Sequence, residues 1–166
     1  MHLGRFSLLA LATVFASDVA VAFEYGGYRS GMGRDAVEAQ SKRDKWVLAP
    51  TSGSSFMQFR ERGSPRPESG FVFSFCNDRL TAVSDNLSGG FPAFAATVTQ
   101  YVTSLGPGTV KAQSQHTGQG LFSKVEVEWD QSGDRYSVSM TRLGETNETV
   151  AKSVWSSEVA APCRAR

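Results

Sequence analysis

The sequence is short of the side chains that most enzymes depend on. It holds two histidines and two cysteines in 166 residues. One histidine, His2, lies in the leading segment treated below, which leaves His116 alone. A Ser-His-Asp triad needs an imidazole held by a buried carboxylate beside a nucleophile, and the Thr117-Gly118-Gln119-Gly120 stretch after His116 offers neither. One histidine and two widely spaced cysteines do not make the usual zinc ligand set. No glycine-rich loop runs into Lys-Ser or Lys-Thr, so no phosphate cradle of that type is expected. An excess of one charge is missing as well. Seventeen Lys and Arg stand against sixteen Asp and Glu, a formal net charge of +1. This argues against nucleic-acid binding by bulk electrostatics. No cofactor and no metal are expected.

Long apolar runs are also scarce. The only one is Phe6 to Ala16, preceded by Arg5 and followed by the small residues Val19-Ala20-Val21-Ala22. It falls short of the roughly 20 residues that span a bilayer and reads as a secretory signal cleaved after Ala22. Residues 1–22 are therefore expected to be a leader and residues 23–166 a single domain, periplasmic or secreted, with no transmembrane segment. No cysteine stands at the cleavage point, so a lipid anchor is not supported. In an exported chain the two remaining cysteines, Cys76 and Cys163, are expected to pair.

The remaining sequence has recognisable punctuation. Tyr28 to Glu38 reads as a tight turn into a helix running from about Arg34 to about Lys45. Gly33 serves as the N-cap, and Met32 and Val37 are spaced as a hydrophobic staple. Short strands are expected at 46–50 and 56–60, then the polar loop 61–70 with Arg62 and Arg66. Phe71, Phe73 and Phe75 share one face of a strong strand. Asn77-Asp78 suits a two-residue hairpin turn back into Arg79 to Ser84, with a loop over 85–90. Pro92 to Leu105 is a helix with the apolar stripe Phe94, Val98, Tyr101, Val102 and Leu105, stopped by Gly106 and Pro107. After a strand near Val110 and a loop at 116–120, residues 122–130 alternate cleanly. Val125, Val127 and Trp129 face in, while Lys124, Glu126, Glu128 and Asp130 face out. The acidic row reads as a solvated sheet face rather than an acid/base pair. Tyr136, Val138 and Met140 face inward on the next strand, and 149–159 is the last.

The expected fold class is α+β. Helix-then-antiparallel-strands describes each half, residues 28–88 and 91–160 are candidate copies of that unit, and the helices are expected on one face of the sheet.

At Gly31-Met32-Gly33-Arg34-Asp35-Ala36-Val37-Glu38 the chain resembles the Gly-Met-(Thr/Ser)-x-x-x-Val helix start of two groups. These are the small outer-membrane assembly lipoproteins of the SmpA/OmlA type and the β-lactamase inhibitor protein group. The resemblance implies a helix laid on a small antiparallel sheet, repeated in tandem in the inhibitor, and work by protein contact rather than catalysis. Gly33 replaces the capping hydroxyl, and no inhibitory contact residue maps onto this sequence.

The expected function is thus an exported, non-enzymatic module that binds another protein or associates with the cell envelope. Tyr25, Tyr28, Arg29, Arg62 and Arg66 are the candidate contact residues, since aromatic and arginine anchors dominate protein interfaces; Tyr25 and Tyr28 are equally candidates for the core. The alternative is a periplasmic carrier of an apolar small molecule or lipid, with Phe71, Phe73, Phe75, Phe94 and Tyr101 lining its cavity. A small hydrolase using the Glu126 strand ranks third.

Overall fold

The computed structural model describes residues 22–49, 52–62, 70–144 and 147–164. Of the expected leader, residues 1–22, all but Ala22 lie outside them. At the start, Gly26 and Gly27 take positive φ (58° and 83°) and turn β1 (Glu24–Tyr25) back onto β2 (Tyr28–Arg29). Helix α1 (Arg34–Arg43) begins on an extended Gly33 that supplies no side-chain cap. Met32 and Val37 both pack in one core cluster, as the staple spacing requires. Only Val37 and Ser41 of α1 are buried. The helix stops before the expected Lys45, because Lys45 takes φ 66°, outside helical geometry.

Four strands follow: β3 (Trp46–Leu48), β4 (Phe56–Glu61), β5 (Gly70–Cys76) and β6 (Arg79–Leu87). Asn77 and Asp78 form the β5–β6 turn with φ of 48° and 62°, the left-handed pair that matches strand twist. β6 continues through 85–87, where a loop was expected, because residues 150–155 pair along its other side.

Helix α2 (Gly90–Leu105) ends at Gly106, whose N–H donates to the Val102 carbonyl at 3.0 Å and whose φ is 84°. Phe94, Val98, Tyr101 and Leu105 pack on the sheet. Val102, expected in that stripe, lies on its flank with 44% of its surface exposed. The chain leaves α2 over Trp129. The indole Nε1 donates to the Gly106 carbonyl at 2.8 Å, and a Cβ on Gly108 would come within 2.6 Å of the Trp129 ring.

The last meander is β7 (Thr109–Thr117), β8 (Gly120–Gln131), β9 (Asp134–Leu143) and β10 (Asn147–Ser156). His116 is therefore in a strand rather than a loop. The eight strands β3 to β10 form one antiparallel sheet in the order β3-β4-β5-β6-β10-β9-β8-β7. The fold is mixed α/β and mostly strand.

Register assigns the faces. Met57, Phe73, Val83, Val154, Tyr136 and Trp129 stand opposite one another in turn across six strands. They form one apolar row on the inner face. Two core clusters share this face, one under α1 and one under α2, and Tyr136 packs against both.

A third helix, α3 (Ser157–Arg164), occupies the stretch where the last strand was expected to run on to Val159. Ser156 ends β10 and starts this helix: its Oγ accepts the Val159 N–H at 3.4 Å, an N-cap contact. Cys163 on α3 is bonded to Cys76 with a Cα–Cα distance of 5.9 Å. Cys76 alternates with the inner-facing Phe75, so α3 is tied to the outer side of the sheet, which corrects the expectation that the helices share one face. No described helix is long and apolar enough to cross a membrane.

The bridge joins residues 87 apart in sequence. Removing it frees the unfolded chain of a long closed loop. Cys163→Ser, or reduction, is expected to lower stability by roughly 2–5 kcal/mol. Urea unfolding with and without reductant measures the difference.

Candidate functional site

The residues first nominated as a contact surface separate in the structure. Tyr28 has 1% of its surface exposed and belongs to the core beside Phe73, with ring centroids 4.6 Å apart. Its hydroxyl donates to Asp44 Oδ2 at 3.0 Å and lies 3.1 Å from Ser41 Oγ. Burial pushes its pKa up to about 12; the Ser41 contact lowers it and Asp44 raises it. A ring so enclosed has no surface to offer a partner, which corrects its nomination. Ser41 at 0% exposure explains the choice of aromatic: tyrosine fits where a buried hydroxyl needs a partner.

Tyr25 is half-buried on the inner face. Its hydroxyl donates to Asp85 Oδ2 at 3.2 Å, and Lys152 Nζ lies 5.2 Å from its ring centroid. Burial first, and the Asp85 charge second, raise its pKa. Arg29 is exposed and paired with Glu24 at 3.1 Å. Arg62 is exposed just past β4. Arg66 lies outside the described residues.

The aromatics proposed to line a lipid cavity divide between two packed core clusters instead. Phe71 and Phe73 rings are 5.8 Å apart, and Tyr101 meets Trp129 edge-on at 5.3 Å. That is the geometry of a filled core.

The other face of the sheet is different in kind. Ser84, Ser153 and Ser137 stand side by side across β6, β10 and β9, and Asn86, Ala151 and Ser139 form the next row. Ser137 and Ser153 hydroxyls are 3.0 Å apart. On the following strand stand Glu128 and Glu126. Lys111 and Arg135 flank Glu128, Lys124 pairs with Glu126 at 2.8 Å, and Arg135 Nε donates to Asp130 at 3.0 Å. The acidic row is thus interlaced with cations, and it does not have the form of two converging carboxylates. A recess of about 120 Å³ opens here, lined by Lys111, Gln113, Lys124 and Glu126 among others. At the α3 end of the same face the Arg135 guanidinium lies 5.9 Å from the Trp155 ring centroid. His116 is exposed on β7, and no metal-holding group of His, Cys, Asp and Glu occurs among the described residues.

The sequence signal for this face is small residues at alternating strand positions. Serine and alanine are poor strand formers, yet they recur at every second position: Ser137 and Ser139 on β9, Ala151 and Ser153 on β10.

One buried acid stands apart. Asp134 is 4% exposed, and its Oδ1 has no hydrogen-bond partner among the described residues. Burial raises its pKa, a hydrogen bond from Ser156 lowers it, and Glu158 raises it.

No protein-family model matches the chain, and no curated protein matches it.

Two predictions follow from these placements. Tyr28→Ala is expected to destabilise by about 3–5 kcal/mol, the range for losing a buried aromatic, whereas Arg29→Ala stays within about 0.5 kcal/mol because its ion pair is exposed. Chemical denaturation of the two variants reads the contrast. For Asp134, a raised folded-state pKa means that ionisation is disfavoured in the fold. The cost is present above that pKa and disappears as pH falls through it. Asp134→Asn is therefore expected to raise the thermal midpoint at neutral pH, with the gain shrinking in acid.

Proposed function

We propose that the protein is an exported, non-enzymatic binding module, and that the outer face of its sheet is the surface that meets another protein. The observation that carries this reading is the pairing of a helix-covered inner face with an outer face of small hydroxyl and methyl side chains. Such a surface lets another backbone approach closely and costs little side-chain entropy to fix. Arg135 and Trp155 at its end are residue types that anchor interfaces, and the interlaced charges beside it resemble a polar rim.

The tandem reading of the fold belongs to the same proposal. Helix α1 precedes four strands, α2 precedes four strands, and the last strand of each set pairs at the middle of the sheet. This order is what the resemblance to the SmpA/OmlA and inhibitor groups leads one to expect. Export is supported by the Cys76–Cys163 bridge. The tight aromatic packing above disfavours the lipid-carrier alternative.

The test is affinity capture from the host periplasm, with the bait's N-terminus sequenced. Ser139→Arg places a long charged side chain in the middle of the small-residue rows. The wild-type protein is expected to begin at Phe23 and to retain a specific partner, and Ser139→Arg is expected to lose at least about tenfold in affinity, about 1.4 kcal/mol, with an unchanged thermal midpoint. Equal capture by both proteins, or none by the wild type, would count against the outer face.

A further inference from the structure

The two ends of the eight-stranded sheet are finished differently. At one end β3 is three residues long, a short edge of the kind that resists further pairing. At the other end β7 is nine residues long, every one of them exposed, and it pairs with β8 without a register shift. It has no proline and no bulge, and its one charged side chain, Lys111, is engaged with Glu128 of its own chain. Among the described residues, none of the usual devices that blunt an edge is present.

Backbone alternation says which groups this edge offers. Thr117 and Gly120 flank the two-residue turn and face each other, so they exchange hydrogen bonds, as does every second pair from there. Residues 109, 111, 113, 115 and 117 thus bond to β8. Val110, Ala112, Ser114 and His116 turn their N–H and C=O groups outward.

We propose that this edge pairs with the β7 edge of a second copy of the chain, antiparallel about a two-fold axis at Gln113. In this register Val110 meets His116 of the partner subunit, and Ala112 meets Ser114 of the partner subunit. All four outward residues are used, giving four reciprocal pairs and about eight backbone hydrogen bonds. The side chains are self-complementary. Thr109 faces the partner's Thr117, a favourable cross-strand pair, and Gln113 faces its own copy. Lys111 faces the partner's Gln115, so the only charge on the strand never opposes its like. The exposed Val110 (67%) and Leu121 (45%) fall on one inner-face row, with His116 between Leu121 and the partner's Val110. The near-zero net charge of the chain adds little repulsion between copies.

The register makes a signed test. Gln115→Lys sets two Lys-Lys oppositions across the interface, and Gln115→Glu sets two Lys-Glu pairs in the same places. Sedimentation equilibrium on the purified, disulfide-bonded protein is expected to show a dimer for the wild type. It is expected to show a dissociation constant raised about tenfold by Gln115→Lys and lowered by Gln115→Glu, with unchanged thermal midpoints at low concentration. A wild type that stays monomeric at every accessible concentration overturns the proposal. So do two variants that shift in the same direction or not at all.

Discussion

The pairing of β6 with β10 holds the two halves of the molecule in one sheet. Strands β3–β6 lie on one side of this pairing and β7–β10 on the other, and the two core clusters are centred on different strands. The seam between them is sealed by six residue pairs from Val150↔Leu87 to Trp155↔Ala82. Near its middle an ion pair interrupts the apolar inner face. Lys152 Nζ lies 3.3 Å from Asp85 Oδ2, with both side chains largely covered. Directly opposed charges within a half-buried face cost desolvation, and they return it only when further hydrogen bonds complete the shell. Tyr25 supplies such a bond to Asp85. The β1–β2 hairpin therefore bridges from the α1 cluster, where Tyr25 packs on Phe71, to the charged pair on the seam.

That arrangement accounts for the crowding of tyrosines on the inner face. Tyr101 meets Trp129 and Tyr136 edge-on, with centroids 5.3 Å and 6.1 Å apart. Burial raises the pKa of both Tyr101 and Tyr136, so each hydroxyl stays protonated. Neutral hydroxyls carried on apolar rings make a gradual passage from hydrocarbon core to the Asp85–Lys152 pair.

Much of the local structure was legible in the sequence because its causes are local. Asn77-Asp78 announced a left-handed turn, Gly106 and Pro107 announced the end of α2, and strict alternation placed Val127 and Trp129 inward. What escaped was decided by distant neighbours. Asp85 to Leu87 read as a loop until β10 was seen to pair with them. His116 read as a loop residue because its glycine-rich surroundings hide a strand that β8 holds straight. Tyr28 read as a surface anchor because nothing nearby in sequence reveals that Ser41 and Asp44 wait for its hydroxyl. The α3 start was a local signal overlooked: Ser156 is a good N-cap, but it sits at the end of a strand pattern. The outer face was the least legible. Its significance lies in rows running across strands, and such rows do not exist until the strands are in register.

The Cys76–Cys163 bridge has a mechanical meaning beyond stability. It joins the end of β5 to the last helix, so the covalent path from one end of the chain to the other can bypass α2 and the whole β7–β10 meander. A pull applied at the termini of the folded chain travels through β1 to β5, crosses the sulfur atoms and leaves through the tail. The strands that carry the small-residue rows bear almost none of it. Under tension the chain ahead of Cys76 can be stretched open while the loop closed by the bridge, β6 included, stays shut, and only reduction of the bridge exposes it to the load.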